Sequence, residues 1–156
     1  MQRDLYTADH EAFRATVRSF IEREVEPHYA DWEKAGICPR SAWVEAGKQG
    51  LLGTDIDEQY GGGGIKDFRY NAIIRTELTK AGAQGLAIGT HNDVVAPYIT
   101  RLATDEQKQR WLPGFCNGEI ISAIGMSEPG AGSDLRGMQT TAKRDGNDGY
   151  VVNGQK

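Results

Sequence analysis

A mostly α fold that turns to β-strand towards its end is predicted by the periodicity of this 156-residue chain. Apolar residues recur at helical spacing up to about residue 118, and from Ile120 onward the pattern changes to short apolar or alternating runs. The 20 glycines are a further observation, since a share well above the usual ~7% asks for frequent tight turns between short elements. The length suits one domain and a fraction more.

Phe13, Val17, Phe20, Ile21 and Val25 form the first apolar stripe, extended by Tyr29 and Trp32, and predict a helix from about residue 8 to 34. Pro27 falls inside it and is expected to kink or divide it, because its ring blocks a backbone bond. Pro39 suits the first turn of a second helix, which carries Trp43, Val44 and Ala46 and ends around Gly50. Tyr60 to Gly64 reads as a loop. Asp67 is placed to cap a third helix with the stripe Tyr70, Ile73, Ile74, Leu78 and Ala81. A fourth runs from about Leu86 to Leu102 through Val94, Val95, Tyr98 and Ile99, with Pro97 as a distortion. Thr104-Asp105-Glu106-Gln107 has the form of a capping box, in which the hydroxyl covers one orphan amide and the Gln side chain another. The short helix behind it offers Trp111, Leu112 and Phe115 and stops at Gly118.

Ile120, Ile121, Ala123, Ile124 and Met126 predict a buried strand. Met138 to Arg144 reads as a second strand of weak alternation. Asp145-Gly146-Asn147-Asp148-Gly149 supplies a turn, and Tyr150-Val151-Val152 begins a third strand. Asn153-Gly154 is a hairpin signal of its own two residues before the last, so the expectation is a stretch of something longer. No internal repeat or low-complexity linker is visible.

The net charge of −4 argues against a general nucleic-acid binder, which needs a basic footprint. A mean hydropathy of −0.55 and the lack of an apolar run near ~18 residues argue against a membrane span. Met1-Gln2-Arg3-Asp4 carries no apolar signal core, and acidic residues nearby are unlike a transit peptide, so a soluble, cytoplasmic chain is expected. Cys38 and Cys116 have neither disulfide-framework nor zinc spacing and read as plain thiols. His10, His28 and His91 are scattered, so no metal site is expected. Glu22, Glu24 and Glu26 read as a solvated face.

The segment Ser127-Glu128-Pro129-Gly130-Ala131-Gly132-Ser133-Asp134 admits two readings. It has the composition of an ordinary surface turn. It also suits an anionic or hydrogen-bonding ligand: Gly130 and Gly132 permit close approach, Pro129 stiffens the loop, Ser127 and Ser133 add hydroxyls, and consecutive amides can form a nest. It is neither a P-loop nor a dinucleotide fingerprint, and the run Gly61 to Gly64 fails both tests as well and reads as a structural turn.

The stretch from Ile124 through Gly125, Met126 and Ser127 to Asp134 resembles the flavin-binding signature of the acyl-CoA dehydrogenase family. Tyr60-Gly61-Gly62, Asp105-Glu106-Gln107-Lys108, Trp111-Leu112-Pro113 with Gly118-Glu119, and Tyr150 to Lys156 occur in the family's order and spacing. The resemblance therefore spans essentially the whole chain. It implies a three-part enzyme: a helical N-terminal domain, here residues 1–118; a middle β-barrel or sandwich, of which residues 119–156 are the opening strands; and a C-terminal helical bundle. It also implies FAD, an acyl-CoA substrate, an electron-transfer flavoprotein as acceptor, and a homotetrameric or homodimeric whole protein. The implied reaction removes the α-proton of the thioester with a glutamate while the β-hydrogen leaves as hydride to flavin N5, giving a trans-2-enoyl-CoA. Such a weakly acidic proton requires a polarised carbonyl and a well-placed base, while the cofactor takes the hydride.

Residue by residue, the resemblance implies that the Met126 main chain and the Ser127 hydroxyl meet the flavin ring. Gly132 and Ser133 would serve the FAD diphosphate, with Ser133 also near the CoA moiety. Ile124 holds the first signature position, often aromatic in the family, and Ser127 stands where Thr is common. His91 would line the acyl pocket or pack structurally. Glu128 reads as a structural hydrogen-bonding residue, and Trp43 and Trp111 as core aromatics. No catalytic residue is expected in this stretch, since the family's base lies beyond Lys156; alone it should be inactive and bind FAD weakly. Two alternatives stand beside this reading: an acyl-CoA oxidase or related flavin oxidase or monooxygenase, and a non-catalytic helical binding module.

Overall fold

Thr7 opens the first helix. Its amide donates to His10 Nδ1 at 3.1 Å, so a histidine fills the return position of a capping box, and His10 Nε2 donates to Asp67 Oδ2 at 3.3 Å. In the computed structural model, which describes residues 5–146 and 149–156, α1 spans Ala8–Phe20 and passes into a π-helical turn, Ile21–Val25, before α2, Glu26–Ala35. The irregularity expected at Pro27 thus falls a turn earlier. A proline ring collides with the carbonyl four residues back, here Arg23, and the wider π turn relieves that collision. Gly36, with φ +71°, ends α2 in the left-handed region.

Arg40–Lys48 form α3, with Pro39 as its N-cap. Arg69–Lys80 form α4; Asp67 Oδ1 accepts the Arg69 amide at 3.0 Å, so it covers an orphan donor as expected, from one residue ahead of the cap position. The fourth expected helix is less regular than its periodicity predicts. It is approached through a 3₁₀ turn, Gln84–Leu86, and Ala87 at φ +55°; a second π turn, Thr90–Val95, then precedes α5, Ala96–Leu102. Pro97 stands to Asp93 as Pro27 stands to Arg23, and the same remedy appears. Of its stripe, Val95 is buried, while Val94 and Tyr98 lie exposed with Leu102. In α6, Asp105–Cys116, both bonds of the expected box form: Gln107 N–H to Thr104 Oγ1 at 3.3 Å and Thr104 N–H to Gln107 Oε1 at 2.9 Å.

The chain divides into two units, Met1–Ala123 and Ile124–Lys156. In the first, α1 packs along α4, and the core gathers Val17, Phe20, Trp43, Leu51, Ile73 and Leu86. Each such side chain, fully buried, stabilises by about 1.5–3 kcal/mol. Several polar groups inside this unit are paired. Asn92 donates to the Leu51 carbonyl at 2.8 Å and accepts the Gly53 amide at 3.0 Å, and Thr54 donates to Asn71 at 2.7 Å, which fixes the loop after α3. Close backbone approaches need glycine where α3 meets the end of α6: a Cβ on Gly118 would sit 2.2 Å from the Trp43 carbonyl oxygen, and one on Gly47 would sit 2.5 Å from the Asn117 carbonyl.

The second unit contains an antiparallel hairpin, β1 Thr141–Asp145 with β2 Gly149–Asn153, in register Thr141 with Asn153 and Asp145 with Gly149. The molecule is therefore mostly helical with a small sheet, as the sequence predicts. The strand expected over 120–126 does not form: those residues join no ladder, because an apolar run becomes a strand only where a hydrogen-bonding edge meets it. The strand expected from Met138 begins later, at Thr141, since Glu128 takes the amides of Gln139 and Thr140. Asn147 and Asp148 of the expected turn, and the Met1–Asp4 segment, lie outside the described residues. Asn153-Gly154 makes no second hairpin among the described residues.

Candidate functional site

The signature loop is folded by its own backbone. Glu128 N–H donates to the Ala131 carbonyl at 2.8 Å and Ala131 N–H returns a bond to the Glu128 carbonyl at 3.0 Å, closing a tight turn over Pro129 and Gly130. Asp134 then caps a 3₁₀ turn, Leu135–Gly137: its Oδ1 accepts the Arg136 amide at 3.1 Å. Between these two fixed points lie Gly132 and Ser133, both exposed. Ser127 is exposed as well, and Ile124 and Met126 are half-buried.

Gly130 and Gly132 carry the most informative geometry. Neither adopts a positive φ, and a Cβ added to either would meet nothing within 4 Å. Neither backbone conformation nor packing among the described residues asks for glycine here, unlike at Gly118. The open space above both backbones suits an approaching ligand, which is the demand that close contact with a phosphate or flavin makes.

Glu128 is the hub of this unit. Its Oε2 accepts the Gln139 amide at 2.7 Å, its Oε1 the Thr140 amide at 3.1 Å, and Lys156 Nζ lies 3.0 Å from Oε1. Hydrogen bonding from Thr140 and Gln139, with the Lys156 ammonium, holds the carboxyl down at about 2. It is an acceptor at every ordinary pH, which fits the structural role expected of it. Lys156 Nζ also donates to the Met126 carbonyl at 3.2 Å and to Met138 Sδ at 3.4 Å. A cleft of about 440 Å³ lies beside the turn, lined by Glu128, Gly130, Gln139, Thr140 and Gly154 among others.

His91 packs in the core of the helical unit with 0% exposure. Its ring stacks on Phe115 at 3.4 Å; Nε2 donates to the Phe115 carbonyl at 3.1 Å, and Nδ1 accepts the Ser122 hydroxyl at 2.9 Å. Burial lowers its pKa to about 4, so the ring is neutral. Of the two readings of His91, the structural one describes this position. Trp43 meets the same ring edge-on, and Trp111 is half-buried. Burial raises both thiols, Cys116 to about 11, as inert packed cysteines behave. Among the described residues no group of three His, Cys, Asp or Glu side chains is placed to hold a metal ion.

Sequence reasoning missed the Lys156–Glu128 link and the buried Glu77. Glu77 sits on α4 between Ile74 and Leu78, inside the apolar stripe, and a carboxylate at such a phase was a usable signal. It is bound by Arg14 and Arg18 at 2.8 Å and by Lys80 at 3.0 Å. Burial pushes it up, but these three cations outweigh burial and hold it at about 2.

The helical unit defines the class of protein: the model of the acyl-CoA dehydrogenase N-terminal domain matches residues 7–119. The chain belongs to the acyl-CoA dehydrogenase family. It is 45% identical to the mitochondrial long-chain specific acyl-CoA dehydrogenase of Sus scrofa, over 99% of this chain and 35% of that protein. It superposes on the crystal structure of an acyl-CoA dehydrogenase from Geobacillus kaustophilus with a TM-score of 0.90 at 51% identity, covering 98% of this chain and 40% of that one. An acyl-CoA dehydrogenase from Bacillus anthracis, complexed with FAD, gives a TM-score of 0.81 at 31% identity over 99% of this chain and 27% of that one. The chain thus spans about a third of the length of the curated relative.

Proposed function

We propose that this chain is the N-terminal portion of an FAD-dependent dehydrogenase that converts an acyl-CoA to its trans-2-enoyl-CoA. The observation that carries the reading is the signature loop, closed by its own turn, with two glycines that the chain itself does not require. FAD, when bound, supplies the acceptor for the β-hydrogen. The chain's own residues bind and orient. The Met126 main chain and the Ser127 hydroxyl contact the flavin ring, the backbone of Gly132 and the hydroxyl of Ser133 contact the diphosphate, and Ser133 also meets the CoA moiety. Ile124 holds the first position of the loop with an aliphatic side chain.

Residues 1–118 serve as the helical domain and 119–156 as the start of the β domain in this reading. The base that takes the α-proton lies beyond Lys156 in this reading, and an electron-transfer flavoprotein would serve as the electron acceptor. The test is to express the full-length protein, assay bound FAD, and follow acyl-CoA-dependent reduction of an electron-transfer flavoprotein. Protein that copurifies with FAD and turns over acyl-CoA supports the reading. Loss of FAD on mild desalting with no turnover refutes it, and peroxide formation in place of flavoprotein reduction shifts it to an oxidase.

A further inference from the structure

Lys156 and Glu128 do more than neutralise one another. Lys156 Nζ bonds the Met126 carbonyl at 3.2 Å and the Glu128 carboxylate at 3.0 Å, so one ammonium grips the chain on both sides of Ser127. The Glu128 side chain is 6% exposed, and its two oxygens are anchored to the amides of Gln139 and Thr140, immediately before β1. Lys156 itself follows β2. The loop bearing the cofactor-facing atoms is therefore strapped, through one carboxylate and one ammonium, to the chain entering β1 and the chain leaving β2 at the open end of the hairpin. A pair of charge-assisted bonds is short and directional, and it fixes its partners more tightly than neutral bonds do. A Cβ on Gly125 would lie 3.8 Å from Lys156 Cβ, so the lysine stem also lies along the backbone just ahead of Met126.

We propose that Lys156 and Glu128 are positioning residues for the flavin: their ion pair sets the orientation in which the Met126 main chain and the Ser127 hydroxyl are offered to the ring. This rests on the cofactor roles given to Met126 and Ser127 above. Both act through the peptide between them. A site whose atoms must be held to a fraction of an ångström depends on such support.

The experiment uses the full-length protein carrying Lys156→Met, Lys156→Arg, Glu128→Gln, and Lys156→Met with Glu128→Gln. FAD affinity is measured by fluorescence titration of the apoprotein, and the visible absorption band and reduction potential of the bound flavin are recorded. Lys156→Met should weaken FAD binding about tenfold and alter the resolved shape of the flavin band and its potential. Lys156→Arg should recover most of both, and the double variant should be no worse than Lys156→Met alone, because the two residues act as one unit. Far-UV circular dichroism and thermal unfolding report whether each variant is folded. Should Lys156→Met not fold, Lys156→Arg and Glu128→Gln, which keep the charge or the acceptor, carry the test. Wild-type affinity, band shape and potential in all folded variants overturn the proposal while the functional reading stands. Failure of the wild-type protein to bind FAD overturns that reading and this inference with it.

Discussion

Glu77 on α4 takes the guanidinium of Arg14 on α1 at 2.8 Å, and the carboxylate is 4% exposed. This contact joins the two helices that pack most closely in the core. With Arg18 and Lys80 completing the set, it gives those helices a fixed register that apolar packing alone leaves free to slide.

Removing the carboxylate should cost stability and change its pH dependence. Glu77 titrates near 2 in the folded protein against an ordinary 4.5. Its folded value is depressed, so its contribution is present above about pH 4.5 and is lost as pH falls towards 2. Glu77→Gln is expected to cost roughly 3 kcal/mol at neutral pH, since it leaves the buried Arg14 with only the exposed Glu11 as a carboxylate partner. Urea unfolding at pH 7 and pH 3 checks this, and the gap between variant and wild type should narrow at the lower pH.

His91 should show a separate and earlier acid sensitivity. Its pKa falls from 6.5 to about 4 on folding, so the unfolded chain binds a proton first and stability declines as pH drops through that interval. Between pH 7 and 5 the loss is about 2 kcal/mol. His91→Leu should remove that slope, and its own penalty relative to wild type should be largest at pH 7. The measurement is unfolding free energy across pH 4–7, with the His91 ring resonance in NMR as an independent titration.

Gly118→Ala combines a left-handed backbone at φ +82° with a Cβ 2.2 Å from the Trp43 carbonyl, and should cost roughly 3 kcal/mol. Gly36→Ala shares the left-handed conformation, at φ +71°, but meets nothing within 4 Å, and should cost only about 1 kcal/mol. Thermal unfolding of the two variants side by side separates collision from strain. Equal losses would remove the close approach of α3 to the end of α6 as the explanation.

Gly132→Ala should behave in the opposite manner. No neighbour among the described residues resists the added methyl, so stability should stay within about 0.5 kcal/mol of wild type. In the full-length protein the same methyl stands where the ligand approaches, and FAD affinity should fall about tenfold. A variant that loses stability but keeps its affinity would assign the glycine to folding instead.

What the sequence made legible follows the range of the interaction concerned. The Thr104 box was readable because both its bonds close within four residues, and the α4 stripe because its period repeats. Pro27 and Pro97 announced trouble but not its form, since a π turn and a bend answer the same collision. The 120–126 run misled because pairing depends on a remote edge that periodicity does not encode. Arg14 and Glu77 stand 63 positions apart, so only the misplaced carboxylate in an apolar stripe hinted at them. For the candidate site, the motif identified the loop, while the grip of Lys156 on it rests on the curl of the hairpin.

The two π turns also constrain how this chain tolerates changes in length. Each winds more chain into a turn than an α-helix does, and everything downstream is phased to that surplus. Deleting a residue from Ile21–Val25 would take up that surplus and leave α2 facing nearly as before, whereas deleting one from the regular part of α1 would swing α2 by about 100° around its axis. Tyr29, whose hydroxyl accepts the Gly85 amide at 2.9 Å, would then face away from its partner. The regular α-helical segments count residues as strictly as a gear counts teeth, while the π turns are the places where each helix holds one residue to spare.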